Sequence, residues 1–362
     1  MQQSTLPARI DSVETLSKYL YHAMQIEHAT LPPYLLALYS IHPGTNLDAT
    51  QVIRTVVVEE MLHLTLAANL LNSIGGKPDL TLPDFAPLYP AYLPDGEEDF
   101  EVSLMGFSKE ALESFIKIER PSPAPSEAKR LVRRPRKASS LAVALDEVGM
   151  HFYSIGEFYE EVRRGFDYLY EKLGEKGLFT GDPVRQADSR YYYSGGGQLI
   201  PVTDIQSARQ AISLIIEQGE GFGGGIFNDE HELAHLFRFE QLLKQRYYQK
   251  GDKPGNPTGP ELTVDWSAVF PIKKNARLTD YPESSELHAA AIAFNGAYAE
   301  FLDLLTRAYN GNPELLLTQA VPRMFELRNR INQLIRNPVP GLEGVNAAPT
   351  FEMAGVVAGV PA

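Results

Sequence analysis

Two short segments of this sequence carry the same pair of side chains at the same spacing: Glu60-Met61-Leu62-His63 and Glu232-Leu233-Ala234-His235. Residues three apart in a helix stand on one face, so each Glu-x-x-His would present a carboxylate and an imidazole to one ion. Glu27, in IEHATLPPY, and Glu157, in SIGEFYEEV, fall on the apolar stripes of two further segments. Two Glu and two Glu-x-x-His on four helices form the ligand set of a dinuclear, carboxylate-bridged metal site. Two divalent ions bring four positive charges into a poorly solvated core. Four glutamates would neutralise them, two by bridging, while the histidines supply neutral nitrogen donors.

One Glu-x-x-His alone is weak evidence, since chance and surface pairing produce many. Four carboxylates on apolar faces are stronger, because a buried unpaired carboxylate costs several kcal/mol. Neighbouring groups compete for roles. Glu59 points about 100° away from Glu60 on a helix but stands four residues before His63. Glu217 and Glu220 lie at the end of a helical segment beside a glycine run. Glu59 and Glu220 are the acids expected to move protons, Glu220 with the alternative of an extra ligand. His231 and His235 share an i,i+4 spacing, but the HExxH order is missing. Arg238 suits a ligand carboxylate or a substrate carboxylate. His22, His28, His42, His151 and His288 read as structural or surface residues, and the aromatic residues Tyr34, Phe152, Tyr153, Phe158, Tyr159, Phe237 and Phe239 read mainly as core packing.

The elements that must position these groups are legible from periodicity. A helix is expected over about 11–40, capped by Asp11 or Ser12, with a kink at Pro32-Pro33, where two carbonyls lose their N–H partners. A second is expected over about 48–74, with Asp48 as cap and Gly75-Gly76-Lys77-Pro78 as stop. A short Pro/Gly loop makes these two an antiparallel hairpin. Residues about 79–146 change character, with recurring prolines and a strand-like FEVSL at 100–104. Within them, Pro121–Lys137 reads as a surface loop, or alternatively as a basic docking patch. Helices follow at about 147–173, from Asp204, and at about 229–248, with a hairpin expected over Arg190–Val202 and a glycine break, GFGGG, at 221–225. Two more are expected at about 284–309 and 313–336. The expected organisation is a metal-binding bundle over 1–250, with an insertion at about 79–146, and a helical extension over 251–362 packed on it.

Composition narrows the function classes. The 362 residues are 44% hydrophobic and 22% charged, which suits a globular chain. The net charge of −13 argues against sequence-blind nucleic-acid binding. The absence of cysteine excludes disulfides, thiolate nucleophiles and iron–sulfur clusters. Neither a membrane span nor a signal peptide is read, so the expected location is the cytoplasm.

The segments IEHATLPPYLLALYSI, VVVEEMLHLTLAANLLNSIGGKP, SIGEFYEEV, IIEQGEG, DEHELAHLFRF and the closing APTFEM resemble the ferritin-like domain of iminophenyl-pyruvate dimer synthases, enzymes of violacein- and rebeccamycin-type bisindole biosynthesis. The resemblance implies a bacterial protein of specialised metabolism. It implies metal held by Glu27, Glu60, His63, Glu157, Glu232 and His235. It also implies a substrate of the class of aromatic 2-oxo acid imines and a partner amino-acid oxidase; the open coordination positions of the ions are expected to take dioxygen, or alternatively to polarise an imine or carbonyl.

The expected molecule is thus mostly α: a ferritin-like four-helix bundle with extra C-terminal helices and a small β-containing insertion. The expected activity is that of a metal-dependent oxidoreductase with two divalent ions, iron before manganese, acting on a small aromatic or amino-acid-derived metabolite. Iron storage with ferroxidase activity and a metal-free module of a biosynthetic complex are the alternatives. Oligomeric state is open, and no membrane or nucleic-acid partner is expected.

Overall fold

The computed structural model describes residues 10–93, 99–121, 152–221, 225–227 and 232–353. Its helices are α1 (Val13–Ser40), α2 (Leu47–Ser73), α3 (Lys109–Ile118), α4 (Ile155–Leu173), the single turn α5 (Glu175–Leu178), α6 (Ile205–Glu220), α7 (His235–Lys244), α8 (Glu286–Tyr309) and α9 (Val321–Ile335). A π-helical turn, Leu316–Ala320, leads directly into α9. The described residues are mostly helical. No described helix is long and apolar enough to cross a membrane.

Most starts are set by short polar caps. Ser12, Ser108, Ser154, Asp204 and Ser285 each accept a hydrogen bond from a backbone N–H in the first turn of the following helix. α2 differs from expectation. Asp48 lies inside its first turn, and the preceding Asn46 takes a left-handed conformation without capping. The Asn46 side chain is engaged elsewhere, donating to Asp265 O (2.9 Å) and accepting from Asp265 N (2.8 Å).

α1 continues through Pro32 and Pro33 rather than ending there. Pro33 cannot donate to the carbonyl of Ala29. The Tyr89 hydroxyl donates to that carbonyl instead (2.7 Å), so the acceptor left open by Pro33 is paired.

The four long elements of the bundle are α1, α2, α4 and α6. α1 packs on α2, α4 packs on α6, and the pairs meet through α1–α4 and α2–α6. The short helices α3 and α7 pack on one another and reach α1, α2 and α6. On another side, α8 and α9 pack together and touch α2 and α1 respectively. One continuous apolar core runs from Ile10 to Phe351 and includes residues of all these helices.

Strand content differs from expectation. The FEVSL segment forms only an isolated antiparallel bridge, Ala91 with Val102, and among the described residues there is no sheet. The Arg190–Val202 hairpin does not form; a 3-10 turn, Ser189–Tyr191, and irregular backbone replace it. Gly195 and Gly197 adopt positive φ there and break the alternation a ladder needs. Most of the Pro121–Lys137 run, and the first part of the helix expected from 147, lie outside the described residues.

Candidate metal centre

α2 carries Glu60 and His63 one turn apart, as the spacing requires, and both are buried. Glu27 reaches them from α1. His235 arrives as the first residue of α7, and Glu119 as the residue capping the C-terminus of α3. These five side chains are between 0% and 4% exposed, so the bundle withdraws three carboxylates and two imidazoles from water at one place.

Each group is held at its outer atom and faces its neighbours with the other. His63 Nε2 lies 2.9 Å from Gln218 Oε1, and His235 Nε2 lies 2.8 Å from Glu59 Oε2. Both partner oxygens can only accept, so both imidazoles carry a proton on Nε2 and turn Nδ1 inward. The Tyr159 hydroxyl donates to Glu27 Oε1 (2.6 Å), the Thr30 hydroxyl to Glu60 Oε2 (2.9 Å) and the Tyr34 hydroxyl to Glu119 Oε1 (2.5 Å). The remaining oxygens converge: Glu27 Oε2 is 3.5 Å from His63 Nδ1, and Glu119 Oε2 is 3.7 Å from His235 Nδ1. Glu60 Oε1 stands between, 3.8 Å from His63 Nδ1 and 2.8 Å from His235 Nδ1. Ligating atoms of Glu60, His63 and His235 all lie within 4.8 Å of one another. His235 Nδ1 is fully buried and has no hydrogen-bond geometry to any group. A buried imidazole nitrogen without a hydrogen bond, among carboxylate oxygens, fits a cation.

The electrostatics agree. Burial, reinforced by the Glu119 carboxylate, pushes Glu60 up to about 7. Burial opposes charge on His235, but the carboxylates of Glu119, Glu59 and Glu60 outweigh it and hold its pKa well above the imidazole range. Burial likewise opposes charge on His63, and Glu27 outweighs it, for a net rise. Burial and the adjacent carboxylates keep the Tyr34 and Tyr159 hydroxyls protonated, as donors. This is a negative pocket whose positive charge, without an ion, comes from imidazolium groups.

Glu59 serves a different purpose from Glu60. It is fully buried behind His235 and also accepts from Arg238 Nη1 (3.0 Å to Oε2). Burial would raise its pKa, but His235 and Arg238 outweigh it and hold the carboxyl below its usual range. Glu220, at the C-terminus of α6, reaches the cluster from the other side. It lines a small cavity of about 10 Å³ together with Glu27, Glu60, His63 and Glu119. The backbone N–H of Gly156 donates to Glu220 Oε1 (2.8 Å), and a Cβ at residue 156 would lie 2.5 Å from that carboxylate. Glycine at this position lets the carboxylate come this close to the backbone.

Two expected members are not brought to the cluster. Glu157 Oε2 accepts from the backbone N–H of Tyr153 (2.7 Å), while Ser154 Oγ accepts from Glu157 N (3.0 Å). This reciprocal arrangement closes the start of α4. Ser154-Ile155-Gly156-Glu157 has the S-x-x-E spacing of a capping box, a local signal that points away from the bundle interior. Glu232 precedes α7 in extended backbone, so the i,i+3 argument does not apply to Glu232 and His235. Its side chain is 41% exposed and lies 3.6 Å from Arg238 Nη2. In their place the structure supplies Glu119, which sequence reasoning missed because it sits in a segment read as irregular. Its signal was the amphipathic run KEALESFIKI after Ser108. Gln218, Tyr34, Tyr159 and Thr30 were likewise not distinguishable from packing residues.

Comparison with known proteins agrees with this architecture. The family model described as Ferritin-like matches residues 20–244. The dichlorochromopyrrolate synthase of Lentzea aerocolonigenes is 26% identical over 82% of this chain and 29% of its own length. The 2-imino-3-(indol-3-yl)propanoate dimerase of Chromobacterium violaceum is 22% identical over 95% of this chain and 34% of its own. The chain thus spans about a third of the length of these curated relatives. The crystal structure of a ferritin-like protein from Caulobacter vibrioides superposes with a TM-score of 0.61 at 20% identity, covering 95% of this chain and 99% of the other. With the model matching over more than half of its residues and the bundle in place, the chain belongs to the ferritin-like family.

Proposed function

We propose that this protein is a metal-dependent oxidoreductase that holds two divalent ions, iron before manganese, and acts on a small aromatic or amino-acid-derived metabolite in bacterial specialised metabolism. The observation that carries the reading is the convergence of two imidazole Nδ1 atoms and three carboxylate oxygens in a buried site, each fixed by a hydrogen bond at its outer atom. Glu27 with His63 would hold one ion and Glu119 with His235 the other, with Glu60 between them. The ions would supply Lewis acidity and, as iron or manganese, electrons for dioxygen chemistry.

The chain's own residues do the rest. Gln218 and Glu59 fix the imidazole tautomers, and the Glu59–Arg238 pair keeps a charged acceptor behind His235. Tyr34, Tyr159 and Thr30 orient the carboxylates. Glu220 is the acid placed in the cavity wall, where it can hold or move a proton. The substrate class draws support from the two relatives, one a synthase and one a dimerase of an indolyl imino acid.

The test is elemental analysis of protein purified without chelator. The expected result is about two equivalents of iron or manganese, lost in Glu60→Ala/His63→Ala. Absence of stoichiometric metal even after anaerobic loading with ferrous ion would sink the proposal.

A further inference from the structure

α2 has a second functional-looking face. Glu60 and His63 point to the cluster, whereas Val58, Met61 and Thr65 line a separate cavity of about 80 Å³. Its other walls come from α8, from the π-helical turn ahead of α9 and from the tyrosine-rich segment 191–194. On this measure a cavity needs about 10–15 Å³ to admit one water, so there is room here for a small organic molecule. Tyr193 and Leu317, 46% and 36% exposed, mark where it meets the surface.

Three features define what would fit. No Asp, Glu, Lys or Arg is among the lining residues. The lining is instead aromatic and aliphatic, with five tyrosines (Tyr191, Tyr192, Tyr193, Tyr298 and Tyr309) and Phe301. Its polar groups are already arranged in pairs: the Thr65 and Tyr309 hydroxyls are 3.0 Å apart, and His28 Nε2 is 2.9 Å from the Tyr298 hydroxyl. His28 is 1% exposed, and its Nδ1 has no hydrogen-bond partner among the described residues.

We propose that this cavity is a binding site for an uncharged aromatic small molecule, separate from the Glu/His cluster. Ring faces and edges of tyrosine favour an aromatic guest. The paired hydroxyls of Thr65 and Tyr309 accommodate a single polar substituent. A carboxylate would lose its hydration here without a cation to replace it, so acids are rejected. The site is thus suited to a neutral product or effector and not to a free amino-acid-derived acid.

The discriminating probes are 2-naphthol and 2-naphthoate, matched in shape and opposite in charge at neutral pH. Calorimetric titration of the full chain is expected to show saturable binding of 2-naphthol, with 2-naphthoate at least about tenfold weaker. Leu316→Trp, which fills the cavity from the π-helical turn, and Leu317→Trp, at the tolerant exposed mouth, are each expected to weaken 2-naphthol at least about tenfold. Glu60→Ala/His63→Ala should leave that affinity unchanged, whatever its metal content. No saturable binding to the unaltered protein, equal affinity for naphthoate, or binding kept in both Trp variants and lost in Glu60→Ala/His63→Ala would overturn the assignment.

Discussion

Replacing Glu60 by glutamine should stabilise the metal-free protein and weaken its hold on metal. Glu60 is completely buried, and its carboxyl is pushed from an ordinary 4.5 up to about 7, first by burial and then by the Glu119 charge. The folded state therefore binds the proton more tightly than the unfolded chain. Stability falls as pH rises between about 4.5 and 7, and the deficit is complete above that window. At about 1.4 kcal/mol per pH unit, a shift from 4.5 to about 7 means that the ionised carboxylate costs the chelated protein about 3 kcal/mol at pH 8. Glutamine keeps the shape and can still accept from the Thr30 hydroxyl, but it carries no charge. Chelated Glu60→Gln should then melt several degrees above the unaltered protein at pH 8 and close to it at pH 4.5. Adding manganous ion should reverse the order at pH 8, because a bound ion stabilises in proportion to its affinity and the variant has lost a charged ligand. Scanning calorimetry of both proteins, with and without metal, at the two pH values reads all of this. A chelated variant less stable than the original at pH 8, or equal metal-induced shifts in both, would refute the view of Glu60 as a carboxylate held for a cation.

Two further predictions separate residues that organise the cluster from those that only build the frame. Glu157→Ala should leave metal content unchanged while lowering stability by about 0.5–1.5 kcal/mol through loss of the carboxylate acceptor for Tyr153 N, the Ser154 cap being kept; parallel elemental analysis and denaturant titration would decide, and loss of metal would count against the placement of Glu157 outside the cluster. Tyr89→Phe removes the donor to the Ala29 carbonyl left open by Pro33, at a cost of about 1–3 kcal/mol. Chemical denaturation tests it, and an unchanged midpoint would mean that the carbonyl finds another partner.

The reading of the cluster from sequence succeeded where the chemistry was local. Glu60 and His63 share one unbroken helix, so a spacing of three translates directly into a shared face. Glu27 lies on the apolar stripe of a helix that survives two prolines, so periodicity located it as well. The same rule failed for Glu232, because the backbone before His235 is extended and α7 begins at His235 itself. His235 reaches the cluster from the helix start, not as the fourth residue of a motif. Glu157 shows a competing local demand: a carboxylate three residues after a serine cap is drawn to the nearby backbone N–H groups.

Most of the helices, several of their polar caps, the absence of cysteine chemistry and one half of the Glu/His cluster follow from the amino-acid sequence, because each depends on neighbours within a turn or two. What only the tertiary structure decided is the other half. Glu119 and His235 are separated by more than a hundred residues and meet because α3 and α7 pack against one another. Gln218, Glu59, Tyr34 and Tyr159 acquire their roles only from the side chain that each happens to face. Hydrogen bonds of that kind depend on distance in space, and periodicity along one helix carries no information about it.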